Sequence, residues 1–271
     1  MTWADFTLTL RGARTVWYRD VMSLLRDKPR LFMSLFMAVA MLVGLGFGLG
    51  GVIGKVGGGG GIPGIPYIQF IFPVLLSMTA MFTALQSTMS IVWDREFGLM
   101  RKILVAPISR TSVALGKVAG GVTVAIIQVA ITLVAAPLIG LHLSVLAYLL
   151  ILLYLVLVSS AATALGVLVA ARQKSMQAFQ GIAMLVMMPL MGLGMGSLLP
   201  SVGSGWASKA FKIASQISPI SYGIDALRQV MLGARMPVSM VLHAPVVDAL
   251  ILLAFFVAFM VPGVALFTKR D

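Results

Sequence analysis

The chain has 271 residues, 60% of them hydrophobic and only 10% charged, whereas an ordinary soluble domain carries roughly 25% charged residues. A water-soluble fold is therefore not expected. The formal net charge is +12, but the basic residues sit in short segments between long uncharged stretches, the pattern that an anionic membrane surface selects, so no nucleic-acid partner is expected. Cysteine is absent, which removes disulfides, cysteine-ligated metals and thiol nucleophiles.

Residues 1–30 place Phe6, Leu10, Ala13, Trp17, Val21 and Leu24 on one helical stripe, with Arg11, Thr15, Arg19 and Arg26 opposite. That pattern predicts an amphipathic helix lying in the membrane interface as a segment of its own, with Pro29 as the break that ends it. Charges run through this segment and it lacks a short apolar core with a small-residue cleavage site, so no cleavable signal is expected.

Residues 31–271 read as one all-α transmembrane domain. Crossing the hydrocarbon takes roughly 20 apolar residues in a helix, since lipid offers no partners to exposed backbone groups. Six spans are predicted, about 31–53, 67–92, 118–139, 145–170, 177–199 and 249–267. Pro137, Gly140, His142 and Ser144 mark the turn between the third and fourth. Fifteen Lys and Arg residues fall on one side of these spans and five on the other, which puts both termini in the cytoplasm.

On the outer side, the run Gly57 to Gly61 with Pro63 and Pro66 is a flexible connector. The longer outer segment, about 200–247, is partly apolar and contains Trp206, Phe211, Ile217, Tyr222 and Leu227. Short helices that re-enter the outer leaflet are expected there.

Enzymatic chemistry finds little support, for there is no nucleophile with a base, no carboxylate pair and no metal-ligand spacing. His142 and His243 lie far apart in outer turns and read as loop polarity. Asp248, at an outer helix end, reads as a hydrated interfacial residue, and Asp94 and Glu96 read as ion-pairing groups in a basic loop. No assigned span carries an ionisable residue at mid-depth, which counts against an ion-coupled carrier. A P-loop needs GxxxxGK and then Ser or Thr; around Gly54-Lys55 the first glycine position is Leu49 and the last position is Val56. If ATP drives this protein, another chain binds it.

Two stripes have a functional and a packing reading. Thr79, Thr83, Gln86 and Ser90 form a polar face on the second span, which either lines a substrate path or holds helices together. Met184, Met187, Met188, Met191 and Met195 form a stripe on the fifth span, broken by Pro189, which either meets varied apolar ligands or fills a core.

The stretch from Asp94 to Lys117, DREFGLMRKILVAPISRTSVALGK, mixes charge with an apolar run. Leu99, Ile103 and Leu104 offer apolar contacts to a soluble partner, Glu96, Arg101 and Lys102 offer charged ones, and Pro107 ends the helical pattern. With these residues, the basic N-terminus and the outer segment SPISYGIDALR from Ser218 to Arg228, nearly the whole chain resembles the type 2 ABC transporter permeases. That group contains daunorubicin-type drug exporters and bacterial polysaccharide exporters. The loop residues that carry the resemblance are Glu96, Pro107, Ile108, Ser109, Arg110 and Gly116-Lys117. One departure is Pro73-Val74, where such permeases often show Pro-Gly.

The resemblance implies a nonenzymatic permease of the bacterial inner (plasma) membrane, exporting a hydrophobic small molecule or drug by alternating access. Glu96, Leu99, Arg101, Lys102, Ile103, Leu104 and Pro107 would belong to a cytoplasmic coupling helix seated on an ATPase subunit. Two ATPase copies would supply ATP and Mg, the chain itself binding no cofactor, and a second permease copy or paralogue would complete the assembly in the bilayer. The second and fifth spans would flank the pathway, with Tyr222, Asp225 and Arg228 at its outer gate. Alternatives are a lipid-linked polysaccharide exporter permease, an ATP-independent secondary carrier and a nonenzymatic scaffold.

Overall fold

The computed structural model describes residues 3–29, 65–97, 110–196, 213–216, 218–235 and 243–270, with a few more between 32 and 44. Among them the long regular elements are helices: α1 Trp3–Arg26, α2 Tyr67–Ser87, α3 Met89–Glu96, α4 Arg110–Leu133, α5 Val145–Ala170, α6 Met176–Gly196, α7 Pro219–Leu232 and α8 Pro245–Arg270. Helices are what apolar segments of this length require, since each satisfies its own backbone groups.

Five stretches among the described residues are long and apolar enough to cross a bilayer: Tyr67–Glu96, Ser112–Ile139, Val145–Ala170, Met176–Gly194 and Pro245–Leu266. They correspond to the second to sixth predicted spans. The expected first span falls mostly outside the described residues, as do the glycine connector and most of the outer segment before Ser218. The third span begins earlier than expected because Lys117, which marked its edge in the sequence, lies inside α4 and is buried by partners from neighbouring helices.

The bundle is built around α2, whose Phe72, Leu76, Met81 and Leu85 are buried. Helices α4 and α5 pack on it, α8 runs along α5, and α7 wedges against α2, α5 and α8. Helix α1 lies along α4, and α6 sits at the edge with Leu185 exposed.

Small residues permit the closest approaches. A Cβ on Gly116 would lie 2.6 Å from the Ala13 carbonyl oxygen and 2.8 Å from Val16 Cβ, so the contact of α1 with α4 depends on a bare backbone there. Between α2 and α3 the helix is interrupted at Thr88. The hydroxyls of Ser87, Thr88 and Ser90 donate back to the carbonyls of Ala84, Leu85 and Ser87 at 2.6, 2.6 and 2.9 Å, competing with the helical ladder. Gly121 of α4 faces Ser87 and Gly166 of α5 faces Thr88, so the break is tightly enclosed.

The turn from α4 to α5 follows its sequence signals. Pro137–Ile139 forms a 3-10 turn, Gly140 takes φ 78°, and Ser144 caps α5 by accepting the Ala147 N–H at 3.2 Å.

Candidate functional site

Ionisable side chains gather at both ends of the bundle. At one end, α1, the end of α5 and the start of α6 meet the end of α3 and the first part of α4.

Lys117 of α4 is only 2% exposed. Its Nζ lies 3.1 Å from Asp20 Oδ2 of α1 and 3.3 Å from Asp94 Oδ2 of α3, and donates to Ser90 Oγ at 2.8 Å. Arg19 donates to Asp94 Oδ2 at 2.7 Å and stands 3.4 Å from Asp20. Two cations thus meet two carboxylates, the balance a buried ammonium needs, because an uncompensated charge there is strongly unfavourable. Burial opposes the Arg19 cation, yet the hydrogen bond and charge of Asp94, with Asp20 behind it, raise its pKa above the ordinary arginine value. One turn away, Trp17 Nε1 donates to Thr123 Oγ1 at 2.9 Å, and a small cavity of mixed lining, with Asp20, Ser23, Ser87 and Ser90 beside Val124, opens next to the cluster.

The next two residues of the chain reach elsewhere. Arg95 Nη1 donates to the carbonyls of Ala170 at 3.2 Å and Gln173 at 2.9 Å, where α5 ends. The Met176 N–H, first of α6, donates to Glu96 Oε2 at 2.9 Å, while the Ala178 N–H donates to Ser175 Oγ at 3.3 Å. A cation on the last carbonyls of one helix and an anion on the first N–H of the next match both orphan groups and both helix dipoles. Trp93 of α3 and Phe97, which caps it, are exposed and in edge contact at 6.0 Å.

The ion pairing expected for Asp94 is present, whereas Glu96 holds a backbone N–H. Leu99, Arg101, Lys102, Ile103, Leu104 and Pro107 lie outside the described residues. The polar face of the second span divides: Thr83 is buried, Thr79 and Gln86 are half-buried, and Ser90 serves Lys117. The methionine stripe divides too, with Met184 and Met188 67% and 71% exposed while Met187 is buried and Met191 half-buried. The two rows are adjacent on α6, and only the row of Met187 and Met191 turns inward. Met195 lies among the residues whose side chains are not described.

At the opposite end, Tyr222, Asp225 and Arg228 come together on α7, all buried. Tyr222 donates its hydroxyl to the Gln216 carbonyl, and its ring lies 5.6 Å from that of His243 and 6.4 Å from that of Phe255. Asp225 Oδ2 accepts the His243 N–H at 3.2 Å and the Gln229 side-chain amide at 3.1 Å. Arg228 stacks its guanidinium over Phe70 of α2 at 4.4 Å. Asp248, read from the sequence as hydrated, is fully buried, with His243 Nδ1 at 3.9 Å. It is packed beneath α7, which the apolar periodicity of α8 alone does not reveal.

Sequence reasoning missed the joint role of Arg19, Asp20 and Lys117. The available signal was a lysine directly after Gly116 in an otherwise apolar helix, facing a carboxylate on the neighbouring amphipathic helix. Among the described residues no group of three or more acidic or histidine side chains is placed to hold a metal ion.

A bundle with five helices of membrane-crossing length and apolarity among the described residues, its described ion pairs joining helices near the ends of the bundle, defines a helical multi-span membrane protein. The family model described as ABC-2 type transporter matches residues 11–232, from α1 to the end of α7, and the chain belongs to that family. A stretch of 43 residues is also 42% identical to a Cyanophora paradoxa protein that carries the name transport permease ycf38. That stretch is 16% of this chain and spans only 15% of the relative's length.

Proposed function

We propose that this chain is the membrane-spanning permease subunit of an ATP-driven exporter whose ATPase is a separate polypeptide. The observation that carries this reading is family membership across residues 11–232, joined to a sequence with no P-loop. In it, residues 98–109 seat on the ATPase through Leu99, Ile103, Leu104, Arg101 and Lys102, with Pro107 as their end and Glu96 at their edge. Two ATPase copies bring ATP and Mg. Helix α1 lies in the cytoplasmic interface beside them, both termini are cytoplasmic, and the membrane is the plasma membrane.

A second permease copy or a paralogue completes the pathway, which α2 and α6 flank. Thr79, Thr83 and Gln86 are its polar candidates and Met184 with Met188 its apolar ones, while Tyr222, Asp225 and Arg228 form the outer gate. The exposed thioethers of α6 suit varied apolar cargo, so a hydrophobic small molecule or drug is the favoured substrate class. A lipid-linked polysaccharide is the second.

The test is charge reversal of the loop. Arg101→Glu with Lys102→Glu should weaken capture of the ATPase subunit by about tenfold or more, a loss of about 1.4 kcal/mol, with membrane insertion intact. Undiminished capture by the variant would defeat the coupling assignment.

A further inference from the structure

Asp94, Arg95 and Glu96 are consecutive, yet each is bonded into a different part of the bundle. Asp94 meets Arg19 of α1 and Lys117 of α4 at 2.7 and 3.3 Å. Arg95 holds the last carbonyl of α5 and the Gln173 carbonyl in the turn beyond it, and Glu96 holds the first N–H of α6. All three stand on the last turn of α3, which the break at Thr88 separates from α2. The last turn of this short helix is bonded to four other helices at once.

We infer that Asp94, Arg95 and Glu96 distribute a displacement of the adjoining loop among α1, α4, α5 and α6, with Arg95 and Glu96 as positioning residues that make α3 and the α5–α6 turn move as one body. The inference rests on the proposed function, which supplies the ATP-driven displacement. Its chemistry favours transmission over slack. Arg95 and Glu96 bond to backbone groups, so a rotamer change in the α5–α6 turn cannot release them. Each bond is charge-assisted and aligned with the helix dipole it meets. Asp94 acts through an ion cluster with a buried lysine at its centre, so leaving the cluster would set two cations, Lys117 and Arg19, against Asp20 alone.

Spin labels can measure the relation between α3 and α6, because the chain has no native cysteine and Trp93 and Gln177 are both exposed. The full chain carrying Trp93→Cys and Gln177→Cys is reconstituted with its ATPase subunit, and the distance between labels is read without nucleotide and after trapping with ATP and vanadate. The unmodified background should keep one distance in both states. With the ATPase subunit supplied in enough excess to saturate capture, Glu96→Ala should show a nucleotide-dependent shift of several ångströms. Glu96→Gln, which retains an oxygen to accept the Met176 N–H, should restore the fixed distance. Glu96 is exposed, so its variants leave the core intact, and Arg95→Met should repeat the result through α5.

A Glu96→Ala distance that stays fixed in both states overturns the inference. So does one that broadens equally with and without nucleotide, since that is the signature of a helix cap alone, and so does separation in the unmodified background. In those three outcomes the ATPase is bound and the proposed function stands. Failure of the unmodified chain to bind any ATPase removes the proposed function and the inference together.

Discussion

The Arg228 guanidinium lies 4.4 Å from the centre of the Phe70 ring, joining α7 to the innermost helix of the bundle through a cation on an aromatic face. Arg228 is almost wholly buried, so its interaction is not diluted by water. Phe70→Leu should cost about 1–2 kcal/mol by loss of the ring face. Arg228→Met, which leaves the buried Asp225 without its neighbouring cation, should cost more, about 3–5 kcal/mol. Thermal unfolding in detergent compares the two, and equal midpoints would contradict the ranking.

Lys117 gives the sharpest test at the other end. Lys117→Met leaves Asp20 and Asp94 facing each other with Arg19 alone, and should destabilise by about 3–5 kcal/mol. Adding Asp94→Asn removes part of the uncompensated charge, so the double variant should lose less than the sum of the single changes. Strict additivity in a double-mutant cycle would mean that the two residues do not interact.

The Arg19 part of this cluster should be insensitive to pH around neutrality. A cation whose folded-state pKa is raised contributes fully below its unfolded value and loses that contribution only as pH climbs through the folded one. Both lie far into the alkaline range for arginine. Denaturant midpoints of the Arg19→Gln variant and the unmodified chain should therefore keep a constant separation from mildly acid to mildly alkaline buffer.

Gly116→Leu should lift α1 from α4, because even its Cβ would collide with the Ala13 carbonyl and Val16. Trp17 would then lose its bond to Thr123, and its fluorescence should shift to the red as water reaches the indole. A Trp17 environment unchanged by Gly116→Leu would contradict the packing of these helices.

Much of the fold was legible from uncharged length alone. The turn at Pro137 to Ser144 and the bounds of α5 could be read because proline, glycine and a serine cap have local meanings that lipid does not alter. The site was less legible because its chemistry is not local. Lys117 and Asp248 resemble span boundaries in one dimension, and only the packing of α1 over α4 and of α7 over α8 buries them. The methionine stripe looked single-faced because residues three and four apart share a helix side, yet α6 lies at an edge where two adjacent rows meet different surroundings. Glu96 reads in the sequence as a loop charge, and nothing in its neighbours announces the first N–H of a helix eighty residues on.

Asp225 should tolerate amidation better than truncation. It accepts hydrogen bonds from the His243 backbone and the Gln229 side chain, so Asp225→Ala strands two donors at a cost of about 1–3 kcal/mol. Asp225→Asn keeps an accepting oxygen and should lie closer to the unmodified chain in thermal unfolding. The reverse order would show that the negative charge, and not the acceptor, is what this position needs.

The central claim is that this chain shapes a path and a partner supplies the power. The most direct measurement is purification of the full chain in lipid nanodiscs with its ATPase subunit, followed by vanadate-sensitive ATP hydrolysis. The account predicts stable co-purification and hydrolysis that falls when Arg101 and Lys102 are reversed in charge. A chain that purifies free of any ATPase, and whose transport runs without ATP, would contradict it.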